Sequence, residues 1–395
     1  MSPQRKCSPR RARVLPVMAI VILGLMAPVA SSQETPHGTI AFTKGRKVGT
    51  ISADGTGKTI LFDKAKTSSY SPMTSPDGSE VMFTTYDRAS NLSALYVSDL
   101  QTGAVEKVAG KKFDVGPAVW SHDGSTIAFV AYAKEKRGLW TVSPDGSGKF
   151  HVYGKFSDDP TWSHDDTKLA FVNFRRGAGV ISYWDLDTQE LYDVPPGQTN
   201  VFDPQWSPDD QMIAYTQYDE VAETASLHVV DSQGQQITDL TSEGSIYNAT
   251  WNPDGSGLTY STCCVDGPDS LRFTSVDGSQ TETLFVQAAS PGVSYFVAFW
   301  GFSPDGTQMV FESLGYDEAS FRTVEYTLYT ANADGSDQIQ RSIDTTLSFM
   351  DWAPDSDSML VCSYDYETGA TELRYIQGEA IYTIMPGTCS ADWGP

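Results

Sequence analysis

A chain of 395 residues with 50 acidic and 27 basic side chains, a net charge of −23, is excluded from the nucleic-acid binders, because holding phosphate needs clustered Lys and Arg. Its 12% aromatic residues, 33 glycines and 21 prolines describe a folded, turn-rich protein and not a disordered one. The acidity favours solubility, cations or a basic partner; acidic turns facing solvent are the simpler cause.

The first element is a leader. Residues 1–32 carry a basic front (Arg5, Lys6, Arg10, Arg11, Arg13), an apolar stretch from Val14 to Ala30, and small residues after it. This pattern predicts a secretory signal peptide cut near Ala30 or Ser32, leaving residues 33–395 as a single domain, periplasmic or secreted. The alternative is an uncleaved anchor, against which stand the shortness of the stretch and its prolines, Pro16 and Pro28. Four cysteines would remain. Cys263 and Cys264 are neighbours and bond to each other poorly, so the expected bridge is Cys362 to Cys389.

From residue 74 onward one phrase returns. "TSPDGSEVMFT" (74–84) is followed by "WSHDGSTIAFV" (120–130), "WSHDDTKLAFV" (162–172), "WSPDDQMIAYT" (206–216), "WNPDGSGLTYS" (251–261), "FSPDGTQMVFE" (302–312) and "WAPDSDSMLVC" (352–362). Self-similarity at a near-constant period marks a repeat architecture. Each unit reads as four strands separated by Asp- and Gly-containing turns, and both side-chain parities of strands such as "IAFV" are apolar. Strands covered on both faces, in short repeated sheets, are those of a β-propeller. An eighth anchor, Trp393, ends the chain in mid-phrase, while "GTIAFTKG" from residue 38 is the missing remainder. The expectation is an all-β propeller of eight four-stranded blades, closed by pairing the C-terminal strand with the N-terminal blade. Seven blades is the alternative, because the copy at Thr74 lacks the Trp.

The phrase Trp-Ser-Pro-Asp-Gly, followed by an Ile-Ala-Phe strand and a later Asp-Gly turn, resembles the repeat of TolB-type propellers, found also in the propellers of prolyl-oligopeptidase-type peptidases. The resemblance covers essentially all of residues 38–395. It implies an exported, non-catalytic scaffold of the periplasm or cell envelope that binds a protein or peptide, as a monomer and without membrane insertion once the leader is cut. There is no room for the extra N-terminal domain of TolB or for a peptidase domain, and no G-x-S-x-G elbow occurs. The alternative is a metal-dependent lyase or hydrolase acting on polysaccharide or peptide at the channel. No cofactor is implied, a divalent cation being the one candidate.

Several residues invite chemistry. "ADGTGKTI" (53–60) has Ser52 where a phosphate loop needs its first Gly, and aligns with the repeat turn "SPDGSGKF". Asp77, Asp123, Asp165, Asp209, Asp254 and Asp305 recur at one turn position, which marks scaffold. His122 and His164 occupy equivalent turn slots, each followed by an acid, so a metal site between blades is set against plain turn geometry, the same slot being Pro elsewhere. Just before the anchors stand Asp159, Asp203, Asn248, Asp351 and Asp392. These form either a ring at the channel mouth for a cation or the basic end of a peptide, or bonds between neighbouring blades. Tyr295, Phe296, Phe299 and Trp300 lie in an irregular junction, and serve either a partner surface or a thicker blade core.

Overall fold

The computed structural model describes residues 36–395, apart from 176, 195–199, 235–236, 242–244, 264–268, 289, 321–322, 342–345 and 366–367. The leader assigned to residues 1–32 lies outside the described residues, as does Cys264. These residues form eight four-stranded antiparallel sheets, and no helix among them is long and apolar enough to cross a membrane.

Double-sided apolarity in the repeat strands explains the arrangement. In the third blade every residue of Ile127–Ala131 is buried. Ile127, Phe129 and Ala131 pack with Met82, Leu95 and Val97 of the second blade. Ala128 and Val130, on the opposite face, pack with Trp162, Leu169 and Phe171 of the fourth. Burying a side chain of this size contributes about 1.5–3 kcal/mol, so each blade is held chiefly by its two neighbours.

The innermost strands of blades two to eight are Thr67–Thr74, Val115–Trp120, Ser157–Trp162, Val201–Trp206, Ser245–Trp251, Val293–Phe302 and Thr346–Trp352. Thr74, without an indole, still anchors a complete blade. In the first blade the innermost strand is Ala391–Gly394, which pairs with Thr39–Lys44 so that Trp393 stands opposite Ile40. It also packs on the inner strands of blades two and eight, so the ring is closed by both ends of the described chain. Anchor indoles link blades directly: Trp120 Nε1 donates to the Met73 carbonyl at 3.4 Å and Trp251 Nε1 to the Gln205 carbonyl at 3.1 Å.

The repeated turn is a hydrogen-bonded unit. Ser121 Oγ donates to Asp123 Oδ1 at 2.7 Å, and the same carboxylate oxygen accepts the Ser125 N–H at 2.8 Å. Ser75–Asp77, Ser163–Asp165, Ser207–Asp209 and Ser303–Asp305 repeat the contact at 2.6–2.7 Å. Asp254 accepts the N–H of Ser256 at 2.9 Å and its side chain, while Asn252 stands where the other turns have their first serine.

Candidate functional site

Asp159, Asp203 and Asn248 stand three residues before Trp162, Trp206 and Trp251. At each place the ladder to the second strand shifts register, and φ is +48°, +52° and +52°. Asp and Asn tolerate this left-handed backbone better than other side chains, and a bulge re-aims the side chain it carries. Asp203 and Asn248 thereby line a cavity of about 320 Å³ at the channel, with Gln205, Thr216 and Trp300. Burial raises the Asp159 carboxyl to about 6, and the charges of Asp158 and Asp203 add to the effect. Asp203 is open to the channel, yet the protein walls around it displace enough water to raise its pKa too. Among the described residues neither carboxylate is in an ion pair.

Asp351 and Asp392 do not join this group. They stand one residue before their anchors, not three, and bind across the seam where the ring closes. Asp351 accepts the N–H of Trp352 and that of Trp393, both at 2.8 Å. Asp392 accepts the Thr74 N–H at 2.7 Å together with the Thr74 hydroxyl. Burial pushes Asp351 up to about 7, with the neighbouring Asp392 charge contributing, and burial raises Asp392 as well. A disulfide between Cys362 and Cys389, Cα to Cα 5.3 Å, ties the eighth blade to the segment leading into Ala391–Gly394 at the same seam.

The aromatic run 295–300 divides by alternation. Phe299 is fully buried in the core of the seventh blade. Phe296 stacks on Tyr247 of the sixth blade, centroids 5.1 Å apart, and the Tyr295 hydroxyl donates to Glu325 at 2.6 Å. Only Trp300 is presented to the channel, 46% exposed. Sequence reasoning passed over Glu312, a fully buried carboxylate that accepts the Phe349 N–H of the next blade at 2.6 Å and whose pKa burial raises. The signal was present: an acid occupies the repeat-strand slot filled by Val130 and Val172 in other blades.

The carboxylates facing His122 and His164 are not the adjacent Asp123 and Asp165. His122 Nδ1 meets Asp166 and His164 Nδ1 meets Asp210, each at 3.0 Å and each one blade further on. The two imidazoles are 5.1 Å apart between centroids and line a second cavity, about 620 Å³, at the turn end of the inner strands. Among the described residues no group of three or more His, Cys, Asp or Glu side chains is arranged to hold a metal ion. His151 stacks on Trp140, centroids 4.1 Å apart, and His228 sits between Ser226 and Asp239.

Eight four-stranded sheets around an axis, five of them carrying a Ser-x-Asp turn between their first two strands, closed by pairing of strands from both ends of the described chain, define a β-propeller. Its repeats are similar to those of TolB: the family model described as the TolB beta propeller domain matches residues 145–314. A protein TolB homolog of Chlorobium luteolum is 27% identical over 135 residues, which is 33% of this chain and 30% of that protein. The dipeptidyl peptidase 4 structure from Porphyromonas gingivalis superposes with a TM-score of 0.62 at 11% identity, over 89% of this chain and 60% of the other. An oligogalacturonate lyase solved in complex with manganese gives 0.57 at 17% identity, over 88% and 96%. At these identities the likeness to the two enzymes is one of fold.

Proposed function

We propose that this chain is an exported, non-catalytic binding propeller of the periplasm or cell envelope, whose channel mouth at Asp159 and Asp203 receives a basic segment of a protein or peptide partner. The observation carrying this reading is the pair itself. Two carboxylates on successive blades are held at strand bulges, raised in pKa by burial, and without an ion-pair partner among the described residues. Carboxylates placed like this gain most when a Lys, Arg or terminal amine neutralises them. Asn248 adds an amide at the third equivalent position, and Trp300 adds an indole face, which suits a cation. A metal-dependent lyase or hydrolase at the channel is the competing reading, supported by likeness of fold.

The test is a fluorescence-anisotropy titration with short Lys- and Arg-containing peptides, and with glutamate-containing peptides of the same length. Basic peptides bind and acidic ones do not, and Asp159→Asn with Asp203→Asn weakens binding at least ~10-fold, about 1.4 kcal/mol. Equal affinity of the double variant overturns the proposal.

A further inference from the structure

We infer that His122 and His164 form a two-histidine site for a borderline transition-metal dication such as Zn²⁺, Cu²⁺ or Ni²⁺, at the turn end of the inner strands. The argument begins with how the turns of successive blades meet. The residue two places after each anchor faces the residue four places after the next anchor. At three junctions the first is proline and the second glycine, Pro76 meeting Gly124, Pro208 meeting Gly255 and Pro253 meeting Gly306, whereas after Pro304 the second place is Ser356, whose hydroxyl accepts the Asp305 N–H at 3.0 Å. The fit explains the glycine, since a Cβ on Gly306, whose φ is +70°, would stand 2.7 Å from the Pro253 ring.

At two successive junctions both members of this pair are replaced together. His122 faces Asp166 and His164 faces Asp210, and each aspartate keeps the left-handed backbone, φ +56° and +57°. The turn itself does not require the histidine, because proline serves elsewhere. Nor does the aspartate swing freely. Asp166 accepts the backbone N–H of His122 and of Asp123, both at 2.8 Å, and Asp210 those of His164 and Asp165, at 2.7 and 2.9 Å.

The chemical consequence is a defined imidazole. A carboxylate fixed at Nδ1 makes that nitrogen the proton donor and leaves the Nε2 lone pair as the ligand, the arrangement by which metal-binding histidines are oriented. Two such rings lie 5.1 Å apart between centroids, their side chains 48% and 46% exposed, on one cavity of about 620 Å³. Imidazole nitrogens select Zn²⁺, Cu²⁺ and Ni²⁺ over Mg²⁺ and Ca²⁺, which take oxygen ligands. With two protein ligands the site is open, and its remaining positions belong to water or to a donor brought by a bound molecule.

Tag-free full-length protein titrated with Cu²⁺ alone, followed by electron paramagnetic resonance, reads the site directly. One equivalent binds with hyperfine splitting from two nitrogens, and Zn²⁺ competes with it while Ca²⁺ does not. His122→Ala or His164→Ala leaves at most one nitrogen in the signal. Asp210→Asn weakens binding ~10- to 100-fold as the ring loses its orientation. His151→Ala, stacked on Trp140 and away from the cavity, changes nothing. Melting temperatures measured without metal check that each variant is folded. No stoichiometric Cu²⁺ on the folded protein, or a spectrum unchanged by both alanine variants, overturns the assignment.

Discussion

Asp351, in the eighth blade, accepts the backbone N–H of Trp393, in the first, at 2.8 Å. With Asp392 bound to Thr74, two half-buried carboxyls stand near one another where the ring closes. Both are raised in the folded protein, Asp351 to about 7, so between roughly pH 4 and 7 the native state holds protons that the unfolded chain has released. Stability therefore falls as pH rises through that window. Urea midpoints at pH 5 and pH 8 should differ in favour of pH 5, and Asp351→Asn should reduce the difference in part, since Asp159 titrates in the same sense. A slope unaltered by Asp351→Asn would remove the seam from the explanation.

The turn aspartates act oppositely. The Ser75 and Ser79 groups around Asp77, and the Ser207 hydroxyl beside Asp209, hold those carboxyls below the ordinary range. Their contribution is present above about pH 4 and is lost as pH falls through the folded values. Asp209→Ala should cost about 1 kcal/mol at pH 7, a figure kept low because the carboxylate is exposed. At pH 2.5 wild type and variant should unfold at nearly the same urea concentration.

Opening the Cys362–Cys389 bridge should destabilise the protein by up to ~3.5 kcal/mol in the chain-entropy account, given a sequence separation of 27. Equilibrium unfolding of the double Ser variant against the oxidised wild type measures it. The wild type under a strong reductant should follow the variant.

Phe299 and Trp300 are adjacent and differ in role. Phe299→Ala empties a fully buried site and should cost about 3–5 kcal/mol. Trp300→Ala should weaken the basic peptides and cost about 1–3 kcal/mol, because its side chain lines the cavity and also hydrogen-bonds the buried Glu312 carboxylate. Thermal melts and anisotropy on both variants separate the two roles.

The blade count and the closure were legible because the repeat phrase is carried by turn chemistry, local in sequence and hard to disguise. "SADWGP" and "GTIAF" are complementary halves of one unit, so the exchange of strands could be read without coordinates. What escaped was whatever depends on neighbouring blades. The partners of His122 and His164 lie 44 and 46 residues away, and only the replacement of Gly by Asp166 and Asp210 in the repeat hints at them. The acidic residues before the anchors fall into two sets by their spacing from Trp, three places back for Asp159 and Asp203 and one place back for Asp351 and Asp392. Three positions back is a bulge facing the channel, whereas one position back is a bond into the next blade. Alternation within residues 295–300 was obscured by the register shift between Phe299 and Gly301.

Ring closure also sets a timetable for the newborn chain. Trp393 donates its indole N–H to the His37 carbonyl, 356 residues earlier, and among the described residues Ala391–Gly394 is the strand paired with the inner edge of Thr39–Lys44. Until Ala391–Gly394 has been synthesised, the first blade carries an unpaired, sticky inner edge. Cys389 arrives with the same late segment, so the covalent lock cannot precede the strand it secures.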